Sequence, residues 1–472
     1  MFDMDEATRP RLVLAICCLS VFIVSLDNTI VNVALPSIRR DLHAAVSELQ
    51  WTIDAYTVVL AGLLMVSGAA ADRLGRAKIF QLGLAVFTFG SLLCSLSPSP
   101  GALIAFRMLQ AVGGSMLNPV AMSIIRNTFD DARQRAMAIG VWGAVVGLSM
   151  ALGPLLGGVL VTTISWRSIF WVNVPVGLAA IALTHRFVPE SRAPHPRAVD
   201  WLGQALIMVA LASLTYSIIE GASAGWGSPV ILALAALAII ALIVFVTHER
   251  RDDEPLIDPR FFRSAPFSGA TLIAVAAFTA LGGFLFVTQL YLQGDRGLSP
   301  VSSGLYTLPM AATAFIAAPL SGRLVGARGA RPSLLIGGAG LAISSLMLTD
   351  LTAHTSVGHL LLAYFVFGLG FGMVNPPITN TAISGMPEAQ AGVAAAVAST
   401  SRLIGISLGV AIVGAIVAPG SAAGAHAAFG QASHPVWWLL AVCGFAVVAI
   451  GALSTSPWAL RTAEAASAMA SG

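Results

Sequence analysis

The sequence predicts an all-α polytopic membrane protein of about fourteen spans, and three observations carry that prediction. Of 472 residues, 57% are hydrophobic and only 10% are charged, against about 25% charged in soluble domains. Apolar runs of the ~20 residues that cross ~30 Å of hydrocarbon recur along the whole length. None shows the alternation of a membrane barrel, so the backbone groups must be satisfied within helices.

The runs fall at about 12–34, 50–70, 79–97, 101–124, 136–160, 168–188, 201–221, 229–247, 267–291, 302–324, 333–350, 357–380, 391–417 and 436–455. Residues 1–10 are acidic and no small-residue cleavage pattern follows the first run, so that span is expected to be retained. Basic residues set the orientation. With the N-terminus inside, nineteen of the 25 Lys and Arg residues fall on inner segments. Arg39, Arg40, Arg167 and Arg296 fall outside, and Arg107 and Arg402 lie within spans. The bias places both termini in the cytoplasm, and the chain in the cytoplasmic membrane. The formal net charge of +3 reflects this topology and implies no nucleic acid partner. Cys17, Cys18, Cys94 and Cys443 sit in apolar segments without a CxxC pair, and no metal site or disulfide is expected.

The first span carries Asp27 and Asn28 in its second half. An ionised side chain at the bilayer centre costs roughly 2.5 to 3.5 kcal/mol or more and is rarely kept without a task. The second span opens with Asp54 and Tyr56 and ends inside with Gly68, Asp72, Arg73, Gly75 and Arg76. This loop resembles the one between helices 2 and 3 of the major facilitator superfamily, where by resemblance the charge cluster latches one conformational state. The fourth span holds Arg107, Gln110 and Gly113 in the register of the superfamily's Arg-x-x-Gln-Gly-x-Gly signature, with Ala111 at the first glycine; Asn118 follows. The fifth carries Gly147, Gly153, Pro154, Gly157 and Gly158. It is similar to the motif that marks the superfamily's antiporters, and it reads equally as a kinked, closely packed helix. The stretch from Trp166 to Gly177 resembles the drug/proton antiporter branch with fourteen spans.

A major facilitator fold is thereby implied: a first six-helix bundle over 1–190, a linker with two inserted spans over 191–262, a second bundle over 263–460 and a tail over 461–472. Internal repetition agrees. A shift of 254 residues carries Gly68 onto Gly322 and Gly75 onto Gly329, and one of 257 carries Gly113 onto Gly370 and Asn118 onto Asn375. The copies differ in chemistry, since Asp72 meets Gly326 and Arg107 meets Tyr364.

At ~1.5 Å per residue, Asp27, Asp54 and Arg107 all lie about 7–9 Å below the outer face. Two carboxylates facing one guanidinium form a proton/cation exchange site, expected to open to water between two bundles. The resemblance then implies a proton-coupled antiporter that exports lipophilic, cationic drugs or antibiotics by alternating access. It needs no cofactor beyond the proton gradient, and its partners are small lipophilic molecules, protons and the bilayer; a monomer is expected. Export of a self-made metabolite or a neutral compound is the alternative. Asn28, Tyr56, Gln110, Asn118, Glu220, Phe284, Gln289, Tyr364, Asn375 and Arg402 are candidates for cavity lining, Glu220 being equally suited to the interface and Arg402 to anchoring on carbonyls or on Asn375 or Asn380. The eight histidines are scattered over loops and ends, which argues against a membrane-embedded enzyme.

Overall fold

The computed structural model describes residues 8–129, 131–193, 200–252, 259–384, 391–422 and 426–470. Among these residues, helices α1 (Thr8–Leu42), α2 (Val46–Leu74), α3 (Arg76–Ser95), α4 (Pro100–Thr128), α5 (Ala132–Thr163), α6 (Ser168–Trp171) and α7 (Asn173–Phe187) come first. They are followed by α8 (Trp201–Ala224), α9 (Pro229–Glu249), α10 (Ala265–Leu290), α11 (Pro300–Arg328) and α12 (Ala330–Met347). Last come α13 (Val357–Ser384), α14 (Ala391–Ala422), α15 (His426–Ser454) and α16 (Pro457–Ala470). Thirteen helices are long and apolar enough to cross a membrane, and α5 makes a fourteenth if its two segments, bent by 41°, count as one span. The bend has a cause in Pro154, which cannot donate to the carbonyl one turn back.

Helix starts follow local chemistry. Ser99 accepts from the Ala102 amide at 3.3 Å with Pro100 at the first position of α4, and Asp131 accepts from Gln134 at 2.8 Å at the start of α5. Glu48 takes the Ala45 amide at 2.7 Å ahead of α2. Each supplies an acceptor to an amide that has no carbonyl partner within its helix.

The chain divides into two compact units, Met1–Gln204 and Ala205–Gly472. The two helices expected as a separate insert therefore group with the second unit, apart from the first residues of α8. Much of α9 stays apolar and exposed, Ile239, Leu242 and Ile243 among it, the surface a helix presents to lipid.

Within each unit the helices pack in one pattern. In the first, α1 lies against α5, α4 against α2 and α3, and α3 against α7; in the second, α10 lies against α14, α13 against α11 and α12, and α12 against α15. The repeat read from the sequence is thus a repeat of neighbours. It holds to single residues: a Cβ on Gly113 would strike the backbone of Gly83 and Phe87, and one on Gly370 would strike Gly337 and Leu341. Both turns between equivalent helices pass through a left-handed glycine, Gly75 at φ 119° and Gly329 at φ 78°, where any side chain is strained.

Candidate functional site

The first unit encloses a charged cluster. Arg107 on α4 donates through Nη1 to Asp27 Oδ2 on α1 at 2.5 Å and to Gln110 Oε1 at 2.7 Å. Its Nε donates to the Thr52 carbonyl on α2 at 3.1 Å, and its guanidinium lies 4.0 Å over the Tyr56 ring. The other carboxylate oxygen of Asp27 accepts from Gln110 Nε2 at 2.9 Å and from Asn173 Nδ2 on α7 at 3.2 Å. Both amides also reach Ser91 Oγ on α3, at 2.7 and 3.3 Å. Side chains or carbonyls of five helices thus converge on one ion pair, and neither Asp27 (0%) nor Arg107 (1%) has appreciable exposed surface. Burial of this kind is tolerated because the charges cancel and both carboxylate oxygens, Nη1 and Nε have hydrogen-bond partners.

The sequence expectations fare as follows. Asp27 and Arg107 meet directly. Asp54 lies fully buried on α2 between Thr52 and Tyr56, the two residues of that helix that touch Arg107. The expected water-accessible face of Asp27 is replaced by a fully enclosed carboxylate, because Arg107, Gln110 and Asn173 take up its oxygens inside the bundle. Asn28, beside it, turns back to the Val24 carbonyl at 3.1 Å, and Asn118 lies further along α4 with a buried, unpartnered Oδ1.

The small residues of α5 act on α1 next to the cluster. A Cβ on Gly153 would run into Thr29, and one on Gly157 would come within 2.8 Å of Ile30; Pro154 and Gly158 are buried and Gly147 half-buried. The helix resembling the antiporter motif is therefore seated two residues from Asp27, where backbone approach needs glycine.

At the other end of α2, Arg76 donates to Asp72 Oδ1 through Nε at 3.0 Å and Nη2 at 2.9 Å, while Arg73 is exposed and Gly68 packs near Pro119. Glu190 completes this turn. Its carboxylate accepts from the Ala77 and Lys78 amides at 3.1 and 3.2 Å, at the start of α3. The backbone joins in, from Arg76 N to Ser191 O at 2.9 Å and Ala193 N to Asp72 O at 3.1 Å. A Cβ on Gly75 would sit 2.6 Å from the Glu190 carboxyl, so the glycine leaves room for that cap as well as for the turn. Residues 194–199 of the expected linker lie outside the described residues.

In the second unit the same place is aromatic. Phe284 on α10 stacks on Phe367 of α13 at 3.9 Å and meets Tyr364 and Trp437 edge-on at 5.3 and 5.9 Å. These helices, α10, α13 and α15, are the counterparts of α1, α4 and α7. Phe284 and Tyr364, expected as cavity lining, are instead fully buried packing, as is Gln289, whose Oε1 accepts from Gln293 at 3.1 Å. Glu220 is held by Ser223 at 3.0 Å in the last turn of α8. Arg402 Nη2 donates to Thr379 Oγ1 at 2.5 Å and to the Asn375 carbonyl at 3.5 Å, and Asn380 is not among its partners.

Three participants escaped the sequence reading. Ser91 is a polar residue in an apolar span, a signal that was present but unspecific; Asn173 lies in the stretch from Trp166 to Gly177, read only for its resemblance, and Glu190 is the last residue assigned to the first bundle, with no role read for it.

The family model described as Major Facilitator Superfamily matches residues 17–410. The chain belongs to this superfamily. It is 36% identical over 400 residues to the multidrug resistance protein Stp of Mycobacterium tuberculosis, covering 85% of this chain and 74% of that protein. It is 36% identical over 412 residues to the tetracenomycin C resistance and export protein of Streptomyces glaucescens, covering 87% and 76%. The methylenomycin A resistance protein of Bacillus subtilis is 35% identical, with 86% and 87% covered. Among solved structures, an inward-facing bacterial homologue of the human lysosomal transporter Spinster aligns with a TM-score of 0.67 at 18% identity, over 97% of this chain and 98% of that one. The fold is accordingly that of a major facilitator transporter, a multi-pass protein of the cytoplasmic membrane.

Proposed function

We propose that this major facilitator protein exports lipophilic drugs or antibiotics in exchange for protons, with the coupling proton taken up at Asp27 in a conformation that opens the site enclosed here. The observation that carries this is the fully buried Asp27–Arg107 pair at 2.5 Å, held by Gln110 and Asn173. The names of the relatives as resistance and export proteins support the direction and class of cargo.

Protonation of Asp27 removes the negative half of the pair and leaves the Arg107 charge without its counter-ion in a low-dielectric interior. The packed arrangement that suits the ion pair then no longer suits the neutral acid, which is the differential free energy a conformational switch needs. α5, seated on Thr29 and Ile30, would feel any shift of α1. An inward proton is driven by about 2.3 kcal/mol per 100 mV of membrane potential, besides its concentration gradient.

The test is proton release on adding the lipophilic cation ethidium to detergent-solubilised protein in weak buffer. Wild-type molecules that carry the proton on Asp27 are expected to release it saturably, and Asp27→Asn of native-like circular dichroism to release none. An undiminished signal in Asp27→Asn takes the coupling role from that residue. No ethidium-induced release from wild type, together with dye efflux from cells that is indifferent to a protonophore, overturns proton coupling altogether.

A further inference from the structure

We propose that Arg402, with Thr379 and Asn375, forms a subsite in the second unit for the carboxylate of an organic, ring-bearing molecule. The inference deepens the export reading by adding a feature of the cargo, and it starts from a contrast between the two arginines that lie within spans.

Arg107 has Asp27. Among the described residues Arg402 has no carboxylate partner, and the helices of its unit from α10 to α15 contain no Asp or Glu at any position. Its hydrogen bonds go to neutral oxygens, Thr379 Oγ1 at 2.5 Å and the Asn375 carbonyl at 3.5 Å, and both come from the single nitrogen Nη2. Its Nε is buried without an acceptor, and the side-chain oxygen of Asn375 beside it is also unpartnered. Arg402 lies 8 residues inside the span Ala394–Ala418, about 12 Å at ~1.5 Å per residue, and is partly exposed there. A guanidinium held at that depth, partly exposed and with one donor unfilled, suits an anion that enters from the exposed side.

The shape of the group narrows the class. A guanidinium offers parallel N–H donors along one edge and takes a carboxylate with two hydrogen bonds at once. Here the Nε that such a pair uses is the donor without a partner. The Phe278 ring of α10 lies 5.8 Å from the guanidinium carbon and meets Phe371 of α13 edge-on at 5.1 Å, so the charge is bordered by apolar ring surface. Recognition of this form suits a carboxylate joined to a flat hydrophobic body.

Binding can be read without transport. Fluorescence polarisation of 2-naphthoate and of its neutral analogue 2-naphthamide is followed on the purified, full-length protein in detergent. Wild type is expected to bind naphthoate saturably and naphthamide about tenfold or more weakly, the loss of one charge-assisted hydrogen bond. Arg402→Gln is expected to abolish that difference, Arg402→Lys to keep part of it, and Thr379→Val to weaken naphthoate alone. Absence of saturable naphthoate binding, equal affinity for both probes, or an unchanged difference in Arg402→Gln of native-like circular dichroism would each overturn the subsite. Displacement of naphthoate by chloride at equal concentration would overturn the organic carboxylate in favour of a simple anion site. Ethidium efflux by Arg402→Gln cells reports separately on export. Failure of efflux in wild type strikes the export reading and leaves the binding result standing.

Discussion

Removing either half of the Asp27–Arg107 pair should be far more damaging than removing both. At a charge separation of about 4 Å and an effective dielectric of about 20, the pair is worth about 4 kcal/mol of Coulomb attraction. Breaking one partner of a buried pair costs about 3–5 kcal/mol, because the survivor is left charged and desolvated. In Asp27→Asn the amide oxygen can still accept from Gln110 and Asn173, but the new NH2 opposes Arg107 Nη1, which now donates at 2.5 Å. In Arg107→Gln the carboxylate keeps the Gln110 and Asn173 donors at 2.9 and 3.2 Å and loses the cation it pairs with. The double variant places two amides face to face, and about 3 kcal/mol of the summed single losses should return. The assay is equilibrium unfolding of the four proteins in mixed micelles with increasing dodecyl sulfate, combined as a double-mutant cycle. Losses that add to within about 0.5 kcal/mol would refute the argument, since independent sites behave that way.

Three other outcomes follow from the packing. Gly370→Val puts side-chain carbon against the Leu341 amide and the Gly337 carbonyl, where the first Cβ already falls at 2.7 and 2.8 Å, and backbone cannot yield as a side chain can. A loss of about 1–3 kcal/mol or more in the same unfolding assay is expected, with poor expression in cells. Gly153→Val forces α5 away from Thr29 and should depress efflux more than stability, seen as lost resistance at near-normal protein level on immunoblots. Glu190→Ala removes the acceptor of the Ala77 and Lys78 amides at the start of α3 and should cost about 0.5–2 kcal/mol. Asp72→Asn, which touches only the partly exposed pair with Arg76, should cost about 1 kcal/mol or less.

Helix placement and the internal repeat were readable because both rest on one-dimensional signals. Apolar length fixes a span, and glycines recur wherever two backbones touch, as Gly83 with Gly113 and Gly337 with Gly370 do. Asp27 and Arg107 stood out for the same reason, a charge being expensive in every register of an apolar helix. Their pairing was not written in the spacing, since helices α1 and α4 can be rotated without altering the sequence pattern. Facing also explains the aromatic residues: Phe284 and Tyr364 read equally well as wall or as packing until the rotation of α10 and α13 is known. Glu190 was missed because its role depends on the chain turning back from α7 onto the start of α3, a contact across more than a hundred residues.

The two units solve one packing problem with opposite chemistry. Where α1, α4 and α7 meet, the first unit places the Asp27–Arg107 ion pair with the amides of Gln110 and Asn173 hydrogen-bonded to it. Where α10, α13 and α15 meet, the second places Phe284, Tyr364, Phe367 and Trp437 in stacked and edge-on contact. A carboxylate can gain a proton and invert the preference of every donor around it; a ring cluster can do no such thing and keeps a single arrangement over the whole pH range. One proton can therefore alter the internal bonding of only one of these two cores. The proposed exchange needs one half that responds and one that holds its shape, which is a physical reason for a duplicated fold to have lost its symmetry at this position and kept it at the glycine contacts.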